Sequence, residues 1–485
     1  MTAKRRVVWW LICLPVALAI LFAVAFQYRI FLGNSLQLVS SLPPLQAVDK
    51  KSRALIITPH CDDESIAAGG LMNLSHRTGA DVRVVVITNG DGFRVAVERE
   101  YHKLRVTPPD YVRYAEKRQE ETRKAVRLLG LRPSDVVFLS YPDRGLLPMW
   151  TTNWSPSNPY RSFYTKATSS PYPDSYRRNA IYCGQYVFED LRSIIAKYKP
   201  TDIYIPHPSD DHLDHTTAYS FSMAALTDLQ KTDPRTFGGV RVQTYLVHRG
   251  EWPTPMGRRF NEPLRPPAAM AHLDTTWYAL PLEDNVVSLK FDAIRAHVTQ
   301  MKILGWFISS FARKNELFGT VDIQTIRVKP ARVISIDGST NDWTGIKPIG
   351  LDPTGDKLLR SVEKGGDVKA IYVYADDTNV YIRADFARTL SRGVTYKIGL
   401  RGFHDTRMGF STDWWTCAIK PPNTCAPSNV YFAWKGSVLE VAAPRSIVGT
   451  DGRLFVNVDT SAMRMKVDKT GYRLCRIQGL TTAAR

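Results

Sequence analysis

The sequence predicts an α/β chain: a Rossmann-like, mostly parallel sheet with helices on both faces, then a C-terminal β-sandwich, with an N-terminal transmembrane helix ahead of both. Three observations predict it. Between Ala54 and Leu229, short apolar runs alternate with helical runs, the pattern of repeated βα units. Beyond Lys329 the helical runs give way to short β-rich runs separated by turn signals. At the start, Lys4-Arg5-Arg6 precede a nearly continuous apolar stretch from Val7 to Phe26.

That stretch is about 20 residues, long enough to cross a bilayer as a helix. Positive charge ahead of it predicts a cytoplasmic N-terminus, with the rest of the chain outside the cell membrane. A cleaved signal peptide, giving a secreted protein, is the alternative, because Ala23-Val24-Ala25 offers a small-x-small site. The stretch is longer than a usual signal core, which favours the anchor. Residues 1–30 are read as the anchor, 31–50 as a linker, 51–328 as the α/β domain and 329–485 as the sandwich.

Within the α/β domain, Ala54 to Thr58 is a first strand, and Ile66 to Arg77 a helix stopped by Gly79. Asp81 to Thr88 and Val136 to Leu139 are further strands, with a helix from Tyr114 to Gly130 between them. A helix from Gln185 to Tyr198, a strand from Asp202 to Ile205 and a helix from Thr216 to Leu229 follow. Gly90 to Pro109 and Thr151 to Pro173 read as long loops shaping a substrate opening. In the sandwich, runs such as Ala370–Tyr374, Val380–Ala384 and Leu454–Val458 are separated by Asp376-Asp377, Arg392-Gly393 and Asp451-Gly452.

The 485 residues allow two or three domains, and 44% hydrophobic with 23% charged residues fits a globular chain. An excess of 64 Lys+Arg over 46 Asp+Glu gives +18, which favours anionic partners such as a membrane face or an acidic glycan. There is no zinc-finger spacing, no RNA-binding aromatic signature and no concentrated basic run, so nucleic acid is not an expected partner. Among six cysteines, Cys417 and Cys425 are close enough to pair, with Cys475 as a competitor. No CxxC occurs, so a thiolate zinc site of the usual spacing is not expected.

Two clusters carry chemistry. The first is His60-Cys61-Asp62-Asp63-Glu64, directly after the first strand. The second is His207-Pro208-Ser209-Asp210-Asp211-His212-Leu213-Asp214-His215, after the strand ending at Ile205. In a parallel sheet, strand ends of this kind open on one crevice. Imidazoles and carboxylates are good zinc ligands, and a catalytic zinc keeps one position open beside three protein ligands. His212 and His215 are three residues apart at the start of a helix, so they share one side of its first turn. Paired aspartates at a helix start are often only caps. Two such clusters in order, each after a strand, point beyond capping.

His-x-Asp-Asp-Glu followed by His-x-Asp-His resembles the PIG-L/LmbE family of zinc-dependent N-deacetylases, over roughly residues 50–325. Arg118, Glu121, Ala125, Leu129 and Gly130 resemble the family's helix pattern, and Asp143 its loop aspartate. Lys290, His297, Gln300 and Glu316 resemble a late helical segment. The resemblance implies that His60, Asp63 and His215 bind Zn2+ or another divalent ion. Asp62 would be the general base, and His212, if protonated, would stabilise the oxyanion. Asp214 would orient a histidine, and Arg118 and Asp143 would bind substrate. Cys61 stands where the family usually has proline. Glu64 is read as a buried hydrogen-bonding residue, Asp210 and Asp211 as loop residues, and His76, His102 and His297 as structural. His207 is read as either packing or supporting the ligands.

Ile336-Asp337-Gly338, Asn341-Asp342-Trp343 and Asp376-Asp377-Thr378-Asn379-Val380-Tyr381 resemble the opening of family-9-type carbohydrate-binding or DOMON-like sandwiches. Trp414, Trp415 and Trp434 are candidates for stacking on sugar rings, with core packing as the plainer reading. The acidic turns are read as ordinary turn aspartates before calcium ligands. The expected activity is hydrolysis of the acetamido group of N-acetylglucosamine-like units in an extracytoplasmic glycan or glycoconjugate. The alternatives are a lipid-linked or small amino-sugar conjugate as substrate, or a non-catalytic glycan-binding protein with a vestigial metal site.

Overall fold

The computed structural model describes residues 42–328, 334–356, 358–406, 409–421, 423–425, 430–449 and 451–479, with isolated positions before residue 42. The α/β part contains, in chain order, β1 (Arg53–Thr58), α1 (Asp63–Thr78), β2 (Asp81–Thr88), α2 (Arg94–Tyr101) and α3 (Pro108–Leu128). Next come β3 (Val136–Tyr141), α4 (Leu146–Trp150), α5 (Gly184–Tyr198), β4 (Asp202–Pro206), α6 (Leu213–Thr232) and α7 (Pro234–Phe237). The part closes with β5 (Arg241–Tyr245), β6 (Thr275–Pro281), α8 (Asp284–Ala296), α9 (Val298–Ile308) and β7 (Asn315–Val321).

The sheet order is β3-β2-β1-β4-β5-β7-β6. β3 through β5 pair in parallel, while β7 runs antiparallel to β5 and β6. Order reverses between β1 and β4, so the crevice lies beyond their C-terminal ends. β1 shows why the strands are apolar throughout. Ala54 and Ile56 pack into the layer on one face, and Leu55 and Ile57 into the layer on the other.

The helix expected from Tyr114 starts earlier, at Pro108, where Thr107 and Asp110 form a reciprocal capping box. The expected loop from Gly90 holds α2, anchored by buried Ala96 and Val97. Glu316 lies on β7 and not in a helix.

β8 (Gln324–Arg327) leads into the β-rich part: β9 (Gly350–Leu351), β10 (Val368–Ala375), β11 (Asn379–Phe386), β12 (Val394–Thr406), β13 (Gly409–Lys420), β14 (Asn423–Cys425), β15 (Tyr431–Lys435), β16 (Val438–Pro444), β17 (Arg453–Ala462), β18 (Met465–Lys469) and β19 (Arg473–Gln478). One sheet is β15-β16-β11-β10-β9 and the other β14-β13-β12-β17-β19-β8, with β18 on β17. Val373, Ile382 and Val441 of the first meet Ile398, Val456 and Val458 of the second in one core, the packing of a sandwich. Trp414 donates to Tyr472 Oη (3.2 Å), and Trp415 and Trp434 lie half-buried against the core. Asp376 accepts from the backbone of Thr378 and Asn379 and from Tyr381 Oη, so it serves its own turn. Cys417 and Cys475 are buried free thiols, and the side chain of Cys425 lies outside the described residues.

The single-pass membrane location is corrected. Among the described residues no helix is long and apolar enough to cross a membrane. The 20-residue α6 is buried along most of its length but carries Asp214, His215 and Asp228, too polar a content for a bilayer core. Val7 to Phe26 falls outside the described residues apart from isolated positions.

Candidate active site

β1 delivers the chain to His60, and the turn into α1 is sharp. Asp62 has φ 127°, ψ −32°, a conformation that side chains rarely adopt. Strain of this kind costs about 1–3 kcal/mol and persists only where neighbours enforce it. Here the Asp62 N–H donates to Glu64 Oε2 (2.9 Å), and Glu64 Oε1 lies 2.9 Å from His297 Nε2. Arg118 reaches the same turn from α3. It donates to the carbonyls of Cys61 and Gly90 and lies 3.2 Å from Asp62 Oδ1. Gly90 leaves the room: a Cβ there would sit 1.6 Å from the guanidinium.

β4 delivers the second cluster to the same crevice. Asp63 Oδ2 lies 3.2 Å from His60 Nδ1 and 3.2 Å from His215 Nε2, so the carboxylate sits between the two expected imidazole ligands. Each histidine has a carboxylate at its other nitrogen. Asp214 Oδ2 lies 3.4 Å from His60 Nε2, and Asp210 Oδ2 lies 3.3 Å from His215 Nδ1. Such carboxylates set the ring orientation of metal-binding histidines. Both nitrogens of buried His215 lie at ion-pair distance from oxygens, yet neither makes a hydrogen bond. The donor set therefore fits a divalent cation held by two imidazoles and a carboxylate.

His212 caps α6. Its Nδ1 accepts from the Asp214 N–H (3.3 Å), which leaves the proton of a neutral ring on Nε2. Burial, with His60, His215 and His248 close by, holds its pKa well below the usual histidine range. This favours the neutral ring, with Nε2 as its donor. Asp62 shifts the other way. Burial pushes it up to about 6, Arg118 opposes this, and Asp63 adds to it.

Asp143 accepts from the Gly92 N–H through Oδ2 (2.9 Å), while its Oδ1 makes no hydrogen bond and lies 3.5 Å from His60 Nε2. Its own N–H donates to Asp91 Oδ1 (2.9 Å), and the other oxygen of Asp91, Oδ2, accepts from Tyr172 Oη (2.7 Å), so both long loops position it. Asp143, Asp62, Arg118 and His212 line one pocket with Phe307.

Some of the site escaped the sequence reading. Asp210 does more than a loop residue: besides facing His215, it accepts from the backbone of Val247, His248 and His212. His248 follows β5, stacks on Phe307 (5.6 Å between centroids) and sits 4.9 Å from His215. Its ligand atom, with those of Asp63 and His215, falls within a 4.8 Å cluster, as do those of His60, His212 and His215. Aromatic periodicity gives no hint of it; only its place after a strand end could have. His207 is a packing residue, bonded to Thr275 Oγ1 (2.9 Å) and stacked on Trp277.

Cys61 is fully buried against the core of α1, and burial pushes its thiol up to about 12. In native protein it is expected to stay unmodified by a thiol-alkylating reagent over hours; rapid labelling at Cys61 in a mass-spectrometric peptide map would contradict that placement.

Residues 55–226 match the family model described as PIG-L, GlcNAc-PI de-N-acetylase. The 1D-myo-inositol 2-acetamido-2-deoxy-alpha-D-glucopyranoside deacetylase of Corynebacterium diphtheriae is 28% identical over 274 residues, spanning 56% of this chain and 83% of that protein. Both matches fall in the α/β part, which is thus similar to PIG-L-type de-N-acetylases over that stretch. Among solved structures, the N,N'-diacetylchitobiose deacetylase of Pyrococcus horikoshii is 18% identical over 62% of this chain and 93% of that one, with a TM-score of 0.35. GalB, a 4-carboxy-2-hydroxymuconate hydratase of Pseudomonas putida, is 19% identical over 53% and 82%, with a TM-score of 0.34. Likenesses this distant, to a deacetylase and a hydratase alike, bear on neither activity nor substrate here.

Proposed function

We propose that this chain is a metal-dependent N-deacetylase that hydrolyses the acetamido group of an N-acetylglucosamine-like unit in a glycan or glycoconjugate and releases acetate. The observation that carries this reading is the Asp63 carboxylate set between the imidazoles of His60 and His215, with the buried carboxylate of Asp62 lining the same pocket. Zn2+, or another divalent ion suited to the same ligands, would be held by those three residues. When bound, it supplies Lewis-acid polarisation of the amide carbonyl and eases deprotonation of water.

The other roles belong to side chains. Asp62 takes the proton of the attacking water and passes it to the departing amine, and its raised pKa suits both transfers. His212 donates from Nε2 to the oxyanion as it develops, and a neutral imidazole suffices for this. Arg118, clamped to Asp62 and two carbonyls, holds the base in its strained turn. Asp143 offers its unsatisfied Oδ1 to a sugar hydroxyl.

A small amino-sugar conjugate is the second reading, supported by the substrate named for the Corynebacterium relative. Acetate release from free N-acetylglucosamine, a small N-acetylglucosamine glycoside and chitin oligomers separates these readings. Turnover of the glycoside alone selects the small conjugate. No release from any of them, by protein holding one cation per chain, rejects deacetylation of N-acetylglucosamine.

A further inference from the structure

We infer that the β-rich part is a structural component of the site: Arg473 on β19 is a positioning residue that holds the His207–His212 loop, and with it Asp210 and His212. The inference rests on the proposed reading of the site. That loop lies between β4 and α6 and carries the carboxylate facing His215 and the imidazole that caps α6. Connecting loops are usually exposed and mobile, yet His207, Ser209 and Asp210 of this one are buried and several of its groups are fixed from outside.

The Arg473 guanidinium is 2% exposed. It donates to Ser209 Oγ and, at 3.1 Å, to the Leu351 carbonyl of β9. Ser209 in turn donates its N–H to His207 Nδ1 (3.0 Å), and its carbonyl accepts from Arg249 Nη1 (3.0 Å). Arg249 is tied to the sandwich by Asp356 (2.6 Å), which also binds Arg360 (2.8 Å). Beside these, Gly471 packs against the loop backbone so closely that a Cβ would lie 2.1 Å from the Pro208 carbonyl.

Away from the loop the two parts share a core. Trp150 meets Phe455 at 5.1 Å, and Arg401 is wedged against Trp150 and Trp154 while donating to the Thr151 carbonyl. A tethered binding module would not bury so many polar groups against its neighbour, because unpaired they are costly.

The test compares Ser209→Ala, Arg473→Met, their double variant and Arg401→Met in the full chain with zinc. Arg401 lies at the same boundary but touches none of the loop. Ser209→Ala and Arg473→Met are expected to lower kcat about 10- to 100-fold, the usual loss when a group supporting a metal ligand is removed. KM should stay within about twofold. The double variant should be no worse than Arg473→Met alone, because both remove one contact. Hydrogen exchange across residues 207–212 should accelerate in Arg473→Met and Ser209→Ala, whereas Arg401→Met should lower Tm and leave kcat and that exchange unchanged. Multiplying losses in the double variant, or wild-type kcat and exchange in Ser209→Ala, would overturn the assignment. If the wild type releases no acetate, the deacetylase reading fails and the exchange comparison alone decides this one.

Discussion

Asp62→Asn is expected to cut acetate release about 10²- to 10⁴-fold while leaving the bound cation and KM nearly unchanged. That range is what a positioned general base contributes. The amide keeps the shape of the side chain and leaves the Asp62 N–H bond to Glu64 in place, so the turn survives. What disappears is a carboxylate whose pKa burial raises to about 6. Asp62→Gly makes the complementary point. It removes the base and relieves the φ of 127°, a gain of about 1 kcal/mol that offsets part of the cost of leaving buried Arg118 without its carboxylate partner, while activity is lost. If Asp62→Asn keeps more than about a third of wild-type turnover, Asp62 is not the base.

Glu316→Gln is expected to be the most damaging single change to stability, at about 3–5 kcal/mol, the usual cost of leaving a buried charge without its partner. Glu316 is completely buried and lies 2.7 Å from the Nζ of equally buried Lys290. It also accepts from the N–H groups of Gly70 (2.6 Å) and Leu71 (2.8 Å). Those two follow a break in α1, where Ala68 leaves helical geometry (φ −136°, ψ 19°). The carboxylate therefore caps the second half of the helix that begins with Asp63. Combining Lys290→Met with Glu316→Gln should recover part of the loss, because no unpaired charge remains. Urea unfolding midpoints measure both; a loss below about 1 kcal/mol for Glu316→Gln would show that the pair and cap contribute little.

The legible parts of this protein are those with a local signature. β1 and β4 lie inside a sheet covered on both faces, so they read as apolar runs, and the polar clusters after them had to fall in the crevice. Order and residue type marked the two clusters, the family resemblance singled out His60, Asp62, Asp63, His212 and His215 within them, and the fold brings these to one crevice. His248 was not, because β5 is Arg-Val-Gln-Thr-Tyr and gives no clear strand pattern. Asp210 looked like a turn residue because its backbone bonds and its contact with His215 depend on tertiary structure. Glu316 was read into a helix although its strand, β7, pairs antiparallel at the sheet's far side. The contacts of Arg473 and Arg401 with the α/β part join residues about 250 positions apart in sequence, a separation that leaves no trace in any local pattern. Cys61 stands among acids in the sequence, where the resembled family usually has proline. Its side chain turns into the core while only its carbonyl, held by Arg118, faces the site.

The central claim is that His60, Asp63 and His215 hold a cation on which deacetylation depends. Its most direct test is acetate release from a small N-acetylglucosamine glycoside by chelator-treated protein, before and after adding back one equivalent of zinc per chain. The account predicts no release before and restored release after. Equal release in both states, or none from the glycoside or from chitin oligomers after zinc is bound, would contradict it.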